Sequence, residues 1–306
     1  MPSRNNPIAA VQKKNAASTT RKKRTVSSSK SPRASKKVQE KYGRAMPIWL
    51  RNILTVMIVG CFSAVFYYFF IRPYAYRWKP CNGLKEYGVC IPSGYDIHGI
   101  DISHYQGKID WGRLLQNKQT ATPLHFIFMK ATEGGDHNDT TFQTNFANAR
   151  NHGFIRGAYH FYIPGTDALK QADFFIRTVK LDSGDLPPVL DVEVTGRKEK
   201  KELQQGIKRW LDRIESHYGV KPILYTSYKF KTRYLDDSIF NAYPYWIAHY
   251  YVDSVKYQGK WHFWQHTDVG NVPGIKEDVD LNVFNGTLEE LKKLTIKLRV
   301  RFLSYN

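Results

Sequence analysis

Two carboxylates lie two residues apart at the end of a short apolar run. Asp191 and Glu193 close the run 188–193, with Val192 between them. Since the side chains of a β-strand alternate between its faces, both acids would point to one side and Val192 to the other. Burying two carboxylates with no cation beside them in the run is costly, so one of them keeps its proton. A protonated acid beside an ionised one is the pair that glycoside hydrolysis uses, whereas a lone acid is more often an ion-pair or capping residue.

Eight short apolar, β-branched or aromatic runs follow one another from about residue 96, and helix-like stretches separate the early ones. This alternation is typical of a parallel sheet covered on both faces, and eight strands favour a closed barrel. The later connections are too short for full helices. No Gly-x-Gly-x-x-Gly or phosphate-loop pattern occurs, which disfavours nucleotide binding. The predicted strands are 97–103, 126–132, 155–162, 188–193, 222–226, 245–249, 262–266 and 279–284, and the predicted helices are 111–117, 141–152, 168–179 and 201–218.

A barrel would bring further acids to this pair. Active sites of such barrels form at the C-terminal strand ends, where Asp101 and Glu133 also fall. Closure makes the eighth strand a neighbour of the first, so we expect Asp280 to lie near Asp101.

Aromatic residues near the strand ends suit a sugar ligand, because flat rings pack on apolar sugar faces while hydroxyl and indole groups bind its hydroxyls. Tyr159, Tyr225 and Trp246 are among them, and we expect Tyr159 and Trp246 to face a ligand. Many aromatic residues must instead fill the core. The histidines near strand ends do not have the spacing of a zinc site, so we expect hydrogen-bonded histidines, no metal and no cofactor. They are His98, His160, His249 and His266.

The net charge of +19 is concentrated at the N-terminus. Residues 1–79 hold 17 lysines and arginines against one acid, Glu40, whereas the rest of the chain is nearly balanced. Residues 1–46 have no apolar period and are expected to form a disordered basic tail that touches anionic lipid. Nucleic-acid binding by the tail is the alternative, and we do not expect it.

An apolar segment follows the tail. Residues 53–71 carry no charge, and at about 1.5 Å per residue they would span roughly 28 Å, close to the thickness of a bilayer core. The basic residues before it place the N-terminus in the cytoplasm, so residues 47–72 are predicted to be a single-pass signal anchor with the remainder outside. A buried core helix and a cleaved signal peptide fit less well. A lipobox ending at Cys61 is a further alternative, although the apolar run continues beyond it.

Two cysteines lie just after the apolar segment. Cys81 and Cys90 enclose a turn signal, Asn82-Gly83, and a disulfide between them would suit an oxidising compartment. Free thiols are the weaker alternative.

The motifs together resemble glycoside hydrolase family 25, the Chalaropsis-type lysozymes. They are GIDIS at 99–103, QG at 106–107, IDW at 109–111, KATEG at 130–134, GAYHF at 157–161, PVLDVE at 188–193, YWIA at 245–248, WQ at 264–265 and VDLN at 279–282. The resemblance implies a TIM-like (β/α) barrel with eight strands and about five helices. It implies an N-acetylmuramidase that cleaves the β-1,4 bond between N-acetylmuramic acid and N-acetylglucosamine in peptidoglycan.

By position in these motifs, the resemblance makes Glu193 the general acid and Asp191 its partner carboxylate, with Asp101 and Asp280 as the remaining acids. We also expect Tyr159, Tyr225, Trp246, Gln265 and Glu133 to bind substrate. The predicted domains are the tail 1–46, the anchor 47–72, a linker 73–95, the catalytic barrel 96–290 and a tail 291–306.

The sequence leaves the route open. Retaining, inverting and substrate-assisted hydrolysis all use such acids, and we favour the last, with Asp191 stabilising the positive ring. Two other functions remain as alternatives: a non-catalytic tether that binds peptidoglycan, and a chitinase-like hydrolase of N-acetylglucosamine polymers.

Overall fold

The structure is a computed structural model that describes residues 46–72, 81 and 83–297. Some predictions lie outside the described residues. They are those for residues 1–45, for residues 73–80 and 82 of the predicted linker, and for residues 298–306 of the predicted C-terminal tail. The described residues form two parts, an N-terminal helix and a barrel.

The N-terminal helix α1 spans Ile48–Phe66 and continues through a π-helical turn, Tyr67–Ile71. Together they form a helix of 24 residues with a mean hydropathy of 2.1, long and apolar enough to cross a membrane by length and composition. Cys61 is exposed within it, and the helix continues beyond that residue without a break.

Eight strands close into a barrel, as predicted. The barrel strands are β3 Ile97–Ile102, β4 Leu124–Glu133, β6 Ile155–Phe161, β7 Val189–Asp191, β8 Ile223–Ser227, β9 Tyr245–Ala248, β10 Phe263–Gly270 and β11 Val279–Phe284, and the helices are α2 Trp111–Gln116, α3 Phe142–Asn151, α4 Ala168–Thr178, α5 Lys200–Tyr218, α6 Tyr228–Tyr234 and α7 Leu288–Leu294. A short strand β5, His137–Asn138, pairs antiparallel with the end of β4 outside the ring. The order around the barrel is β3, β11, β10, β9, β8, β7, β6 and β4, and β4 pairs with β3 to complete the ring. Helices α2–α6 lie between strands, and residues 249–262, between β9 and β10, contain no helix.

One strand departs from the predicted parallel order. β11 runs antiparallel to both of its neighbours, β10 and β3, whereas the other pairings around the ring are parallel. The chain reaches it directly from β10 through residues 271–278, and so short a connection joins only antiparallel strands. We call the C-terminal end of the seven parallel strands the mouth and the opposite end the base. β11 therefore begins at the mouth.

Two hydrophobic cores hold the barrel. The outer core lies between the strands and the helices and contains Val192 and the apolar stripe of α5. The inner core fills the barrel and includes Phe126, Phe128 and Trp246. A Cβ at Gly99 would lie 2.5 Å from the ring of Phe126, so only glycine leaves room for that ring.

A disulfide-closed hairpin lies against the barrel. Strands β1, Lys85–Glu86, and β2, Val89–Cys90, pair antiparallel, and Cys81 and Cys90 are joined by a disulfide with a Cα–Cα distance of 5.5 Å. Tyr87 is buried, its hydroxyl donates to the carbonyl of Thr122 over 2.9 Å, and its own carbonyl accepts from the N–H of Asn271 over 2.8 Å. The C-terminal half of the predicted linker is thus packed structure.

Candidate active site

The four predicted acids meet at the mouth. Asp101 lies near the end of β3 and is the register partner of Asp280 on the adjacent β11. Asp191 ends β7, and Glu193 follows two residues later. Hydrogen bonds from the N–H of Tyr162 to Asp191 and from the N–H of Val192 to Tyr225 prolong the strand ladder, so both acids face the mouth.

Two adjoining cavities share these acids. Their volumes are about 160 Å³ and about 210 Å³. The shared lining residues are Asp101, Tyr159, Asp191, Glu193 and Asp280; Tyr225, Trp246, Tyr250 and Gln265 complete the smaller cavity, and Ile102, Ser103, Tyr105, Gln106, Lys130 and Phe161 complete the larger. A linear chain of sugars that occupies both cavities would therefore pass over the four carboxyl groups.

A buried hydrogen-bond network fixes Asp101. Its Oδ2 accepts from the amide groups of Gln265 and Asn282, each over 2.7 Å. The Oε1 of Gln265 in turn accepts from the hydroxyls of Tyr225, over 2.7 Å, and Tyr250, over 2.6 Å. Asp101 thus cannot rotate without breaking a connected set of buried bonds.

The side chains of Asp191 and Glu193 differ in how deeply they are buried. Asp191 is buried, and its Oδ1 has no hydrogen-bond donor among the described residues, whereas Glu193 is exposed at the mouth. Burial raises the pKa of both carboxyl groups, and for Asp191 the charge of Glu193 adds to a larger rise. The two carboxyl groups act on one another in opposite senses, since Glu193 raises the pKa of Asp191 whereas Asp191 lowers that of Glu193. In the free protein the proton therefore favours the deeper Asp191.

The other two acids also hold protons tightly. Burial raises the pKa of Asp101 to about 7, although the amide donors of Asn282 and Gln265 oppose the rise. Burial, with the charge of Asp101, raises the pKa of Asp280 to about 9. At neutral pH the mouth therefore carries fewer negative charges than carboxyl groups.

A lysine from another strand supplies the cation that the run 188–193 lacks. Lys130 lies on β4, its ammonium is 2.6 Å from the Oε2 of Glu133, and its side chain is only 11% exposed. The positive charge of Lys130 lowers the pKa of Asp191 and of Glu193 against the effect of burial. The pair is therefore less isolated than its sequence neighbours suggest.

The predicted substrate residues divide into two groups. Tyr159, Tyr225, Trp246 and Gln265 line the cavities. Trp246 is 2% exposed, its ring stacks on Phe128 at 4.3 Å, and its indole N–H donates to Asn282, so it forms a cavity floor. Glu133 lines neither cavity and reaches the site through Lys130.

Several lining residues were absent from the predicted site. Tyr105 is 73% exposed beside the larger cavity, and Tyr250 completes the network around Asp101. Lys130 stood in the KATEG motif, where its charge could have been set against the acids. Nothing in the sequence pointed to Tyr105, because it lies in a short 3₁₀ turn after β3.

The four histidines near strand ends are buried or half-buried. Burial lowers the pKa of His98 and His160 to about 4 and that of His266 to about 3, and it also lowers the pKa of His249. His160 contacts Thr132 and Gln171 through its two nitrogens, as the prediction of hydrogen-bonded histidines requires. In the described part of the chain, by contrast, the Nδ1 of His249 and the Nε2 of His266 have no hydrogen-bond partner. Among the described residues, no group of three or more His, Cys, Asp or Glu could hold a metal ion.

Paired carboxyl groups of raised pKa in a cavity at a barrel mouth are the arrangement that glycoside hydrolysis uses. Known proteins agree with this chemistry. The chain belongs to glycosyl hydrolases family 25, whose family model matches residues 100–275.

Three relatives illustrate the similarity. The YegX protein of Escherichia coli K12 is 44% identical over 218 residues, which cover 71% of this chain and 79% of that protein. Lysozyme M1 of Streptomyces globisporus is 32% identical over 65% of this chain and 71% of its own length. The crystal structure of a lysozyme from Streptomyces coelicolor superposes with a TM-score of 0.61 at 32% identity, covering 66% of this chain and 98% of that one.

Proposed function

We propose that this protein is a lysozyme, an N-acetylmuramidase that hydrolyses the β-1,4 bond between N-acetylmuramic acid and N-acetylglucosamine in peptidoglycan. The observation that carries the proposal is the junction of two mouth cavities at the four carboxyl groups. Sugar rings on either side of the junction would place the bond that joins them over Glu193 and Asp191. Relatives described as lysozymes support the substrate class.

Glu193 is the proposed proton donor. It is the more exposed acid of the pair, so it can reach the glycosidic oxygen, whereas Asp191 lies deeper. Proton donation of this kind contributes about 10²–10⁴-fold to the rate. The proton favours Asp191 in the free protein, so it passes to Glu193 before attack. Glu193 then gives it to the glycosidic oxygen, and the positive charge that develops on the sugar ring stabilises the ionised Asp191. The two carboxyl groups line the same two cavities, so the proton passes between neighbours.

Asp191 then stabilises the ring without bonding to it. The N-acetyl group of the substrate supplies the attacking oxygen, the leaving sugar takes the proton of Glu193, and water opens the cyclised ring after Glu193 has accepted its proton. Asp101 accepts and Asp280 donates hydrogen bonds to substrate or water, consistent with the raised pKa of Asp280. The anomeric configuration of the product checks this route, since direct displacement by water would invert it.

The apolar helix α1 is the proposed single-pass anchor. Its length and composition support the assignment, with the basic residues before it in the cytoplasm and the barrel outside. The disulfide of the hairpin suits an oxidising compartment, and no lipid attachment at Cys61 is part of the proposal. The remaining partners would be anionic lipid at the basic tail and peptidoglycan at the mouth.

The decisive experiment measures the products from defined peptidoglycan. The full chain in detergent or nanodiscs should release muropeptides with N-acetylmuramic acid at the reducing end, detected by mass spectrometry. Release of N-acetylglucosamine ends, or cleavage of chitin in preference to peptidoglycan, would instead support the chitinase-like alternative. Binding to peptidoglycan without any new reducing ends would support the tether.

A further inference from the structure

The base of the barrel carries an open cavity of about 460 Å³ that the proposed chemistry does not use. Lys260 and Lys293, both exposed, line it together with the half-buried Trp261 and Leu294. Lys260 precedes β10 at its base end, and Lys293 lies on α7, which follows the base end of β11. Cationic heads beside an indole and an apolar side chain are the composition of a membrane–water interface.

A second base cavity, of about 380 Å³, lies beside the first. The exposed Leu84 and the residues leading into β3 line it. Tyr95 belongs to this cavity, and its ring centroid is 6.0 Å from that of Trp261 in the other. The two aromatic side chains therefore join the cavities into one surface, which we call the base surface.

Two acids share the base surface with these lysines: Glu290 lines the first cavity and the exposed Asp96 lines the second. Hydrogen bonds from Thr287, and then the charges of Lys293 and Lys260, lower the pKa of Glu290. Its carboxylate already accepts the backbone N–H of Thr287 over 2.8 Å and the Thr287 hydroxyl over 3.1 Å, which fixes it as a helix cap. Further cations lie at the same end, where the helices finish and the strands begin. They are the exposed Lys180, Lys221, Lys292 and Lys297.

The chain enters and leaves the barrel at this end. Residues 91–96 feed into the base of β3, and the backbone of Ile296 pairs with Gly184 and Asp185 at the base of β7. Eight residues, 73–80, separate Arg72 from Cys81 and can span at most about 28 Å even when fully extended. After Lys297 the sequence adds Arg299, Arg301 and Phe302, which continue the basic and aromatic character.

We propose that the base surface docks on anionic phospholipid headgroups of the membrane that α1 crosses, with Lys260 and Lys293 on the phosphates and Trp261 at the interface. The inference rests on the proposed anchor, but not on the proposed hydrolysis. The short tether keeps the surface near the bilayer, and lysines near anionic lipid are attracted to it. Docking points the mouth away from the membrane, toward the glycan. An acidic wall polymer would satisfy the lysines equally, but it gives no role to the Trp261–Tyr95 pair or to Leu84.

Energy transfer to the bilayer tests the proposal. The full chain with Cys61→Ser is reconstituted into vesicles that contain a headgroup-labelled acceptor lipid. A donor dye is attached at Ser216→Cys, near the base end of α5, or at Thr140→Cys, just before α3 at the mouth and outside both mouth cavities; both positions are exposed. With phosphatidylglycerol in the vesicles, the base dye should transfer more energy than the mouth dye. Transfer from the base dye should fall by about half or more in 1 M salt, where the screening length shrinks to ~3 Å.

Charge reversal supplies the matched comparison. Lys260→Glu with Lys293→Glu should reduce base-dye transfer in phosphatidylglycerol vesicles to its level in phosphatidylcholine vesicles. Lys108→Glu with Lys229→Glu makes the same charge change near the mouth and should leave base-dye transfer unchanged. Melting curves of each double variant show that the barrel remains folded.

Three results would overturn the docking proposal: equal transfer from both dyes, base transfer that is the same in neutral and anionic vesicles, or loss of base transfer when purified wall polymer is added. Muropeptide release, measured on the same samples, reports separately on hydrolysis. Docking without hydrolysis would refute the proposed function alone, and hydrolysis without docking would refute this inference alone.

Discussion

The mouth and the base of the barrel are built from the same eight strands and differ in what their side chains must do. At the mouth, four carboxyl groups of raised pKa lie within one pair of cavities. At the base, the buried Arg156 is matched to Asp185 at 2.7 Å, and its guanidinium lies 3.8 Å from the ring centroid of Phe146. The base satisfies its buried charges, whereas the mouth keeps carboxyl groups close together without a cation for each. The proposed functional groups therefore lie at the mouth, where the fold accepts the electrostatic cost of clustered carboxyl groups. The buried charges at the base are paired, and that pairing stabilises the fold.

The largest effect should come from the mouth. Glu193→Gln removes the proton donor and should lower kcat on peptidoglycan by about 10²–10⁴-fold, with the melting temperature unchanged or higher. Release of reducing ends measures the rate. Because the amide keeps the size of the side chain, pull-down on insoluble peptidoglycan should still retain the variant. Turnover at the wild-type rate would remove Glu193 from the mechanism.

The corresponding change at the base should affect folding instead. Arg156→Met leaves Asp185 buried without its cation and should lower the free energy of unfolding by about 3–5 kcal/mol. Lys208→Met breaks the exposed pair with Asp212 on α5 and should cost less than about 1 kcal/mol. Urea titration of the two variants gives the difference. Equal losses would contradict the assignment of the base as the part that stabilises the fold.

A smaller effect should appear in the pH dependence of stability. The folded-state pKa of Asp280, about 9, lies above the ordinary value of 3.8, so its ionisation opposes folding as pH rises through that window. Asp280→Asn should therefore stabilise the fold by roughly 1–3 kcal/mol near pH 9 and by almost nothing below pH 4. Thermal melts across this range measure it. Glu289→Gln, on the surface of α7, should show no such trend.

The subtlest prediction concerns Lys130. Lys130→Met removes the charge that lowers the pKa of Asp191 and Glu193, so the pH profile of kcat/KM should shift to higher pH. Lys130→Arg keeps the charge and should restore the original position of the profile, even if the rate is reduced. If the pH profile of Lys130→Met matches that of the wild type, the charge of Lys130 does not affect the catalytic acids and its side chain contributes only packing.

Much of the site could be predicted from local pattern. The two-residue spacing of Asp191 and Glu193 predicts their common face. β7 itself ends at Asp191, but the hydrogen bond from Val192 to Tyr225 continues the ladder and keeps Glu193 on that face. Closure of eight strands places Asp280 beside Asp101, and the register confirms it. The prediction holds for Asp280 even though β11 runs antiparallel, because the acid stands at the start of its strand and that start lies at the mouth.

Contacts between residues that are far apart in the sequence were not predicted. Lys130 approaches the acid pair only because β4, β6 and β7 are neighbours in the sheet. The packing of the hairpin depends on Tyr87 meeting Thr122 and Asn271, which no local pattern encodes. Trp246 lines the smaller cavity, and its ring is fixed there by stacking on Phe128 of a different strand.

By itself, the sequence indicated where the eight strands lie and that acids stand at the ends of several of them. These properties follow from periodicity and residue type, which act over a few neighbouring positions. Only the tertiary structure decided how strongly each acid holds its proton and which cation approaches it. Burial and long-range charge set those quantities, and both depend on elements that meet only when the barrel closes.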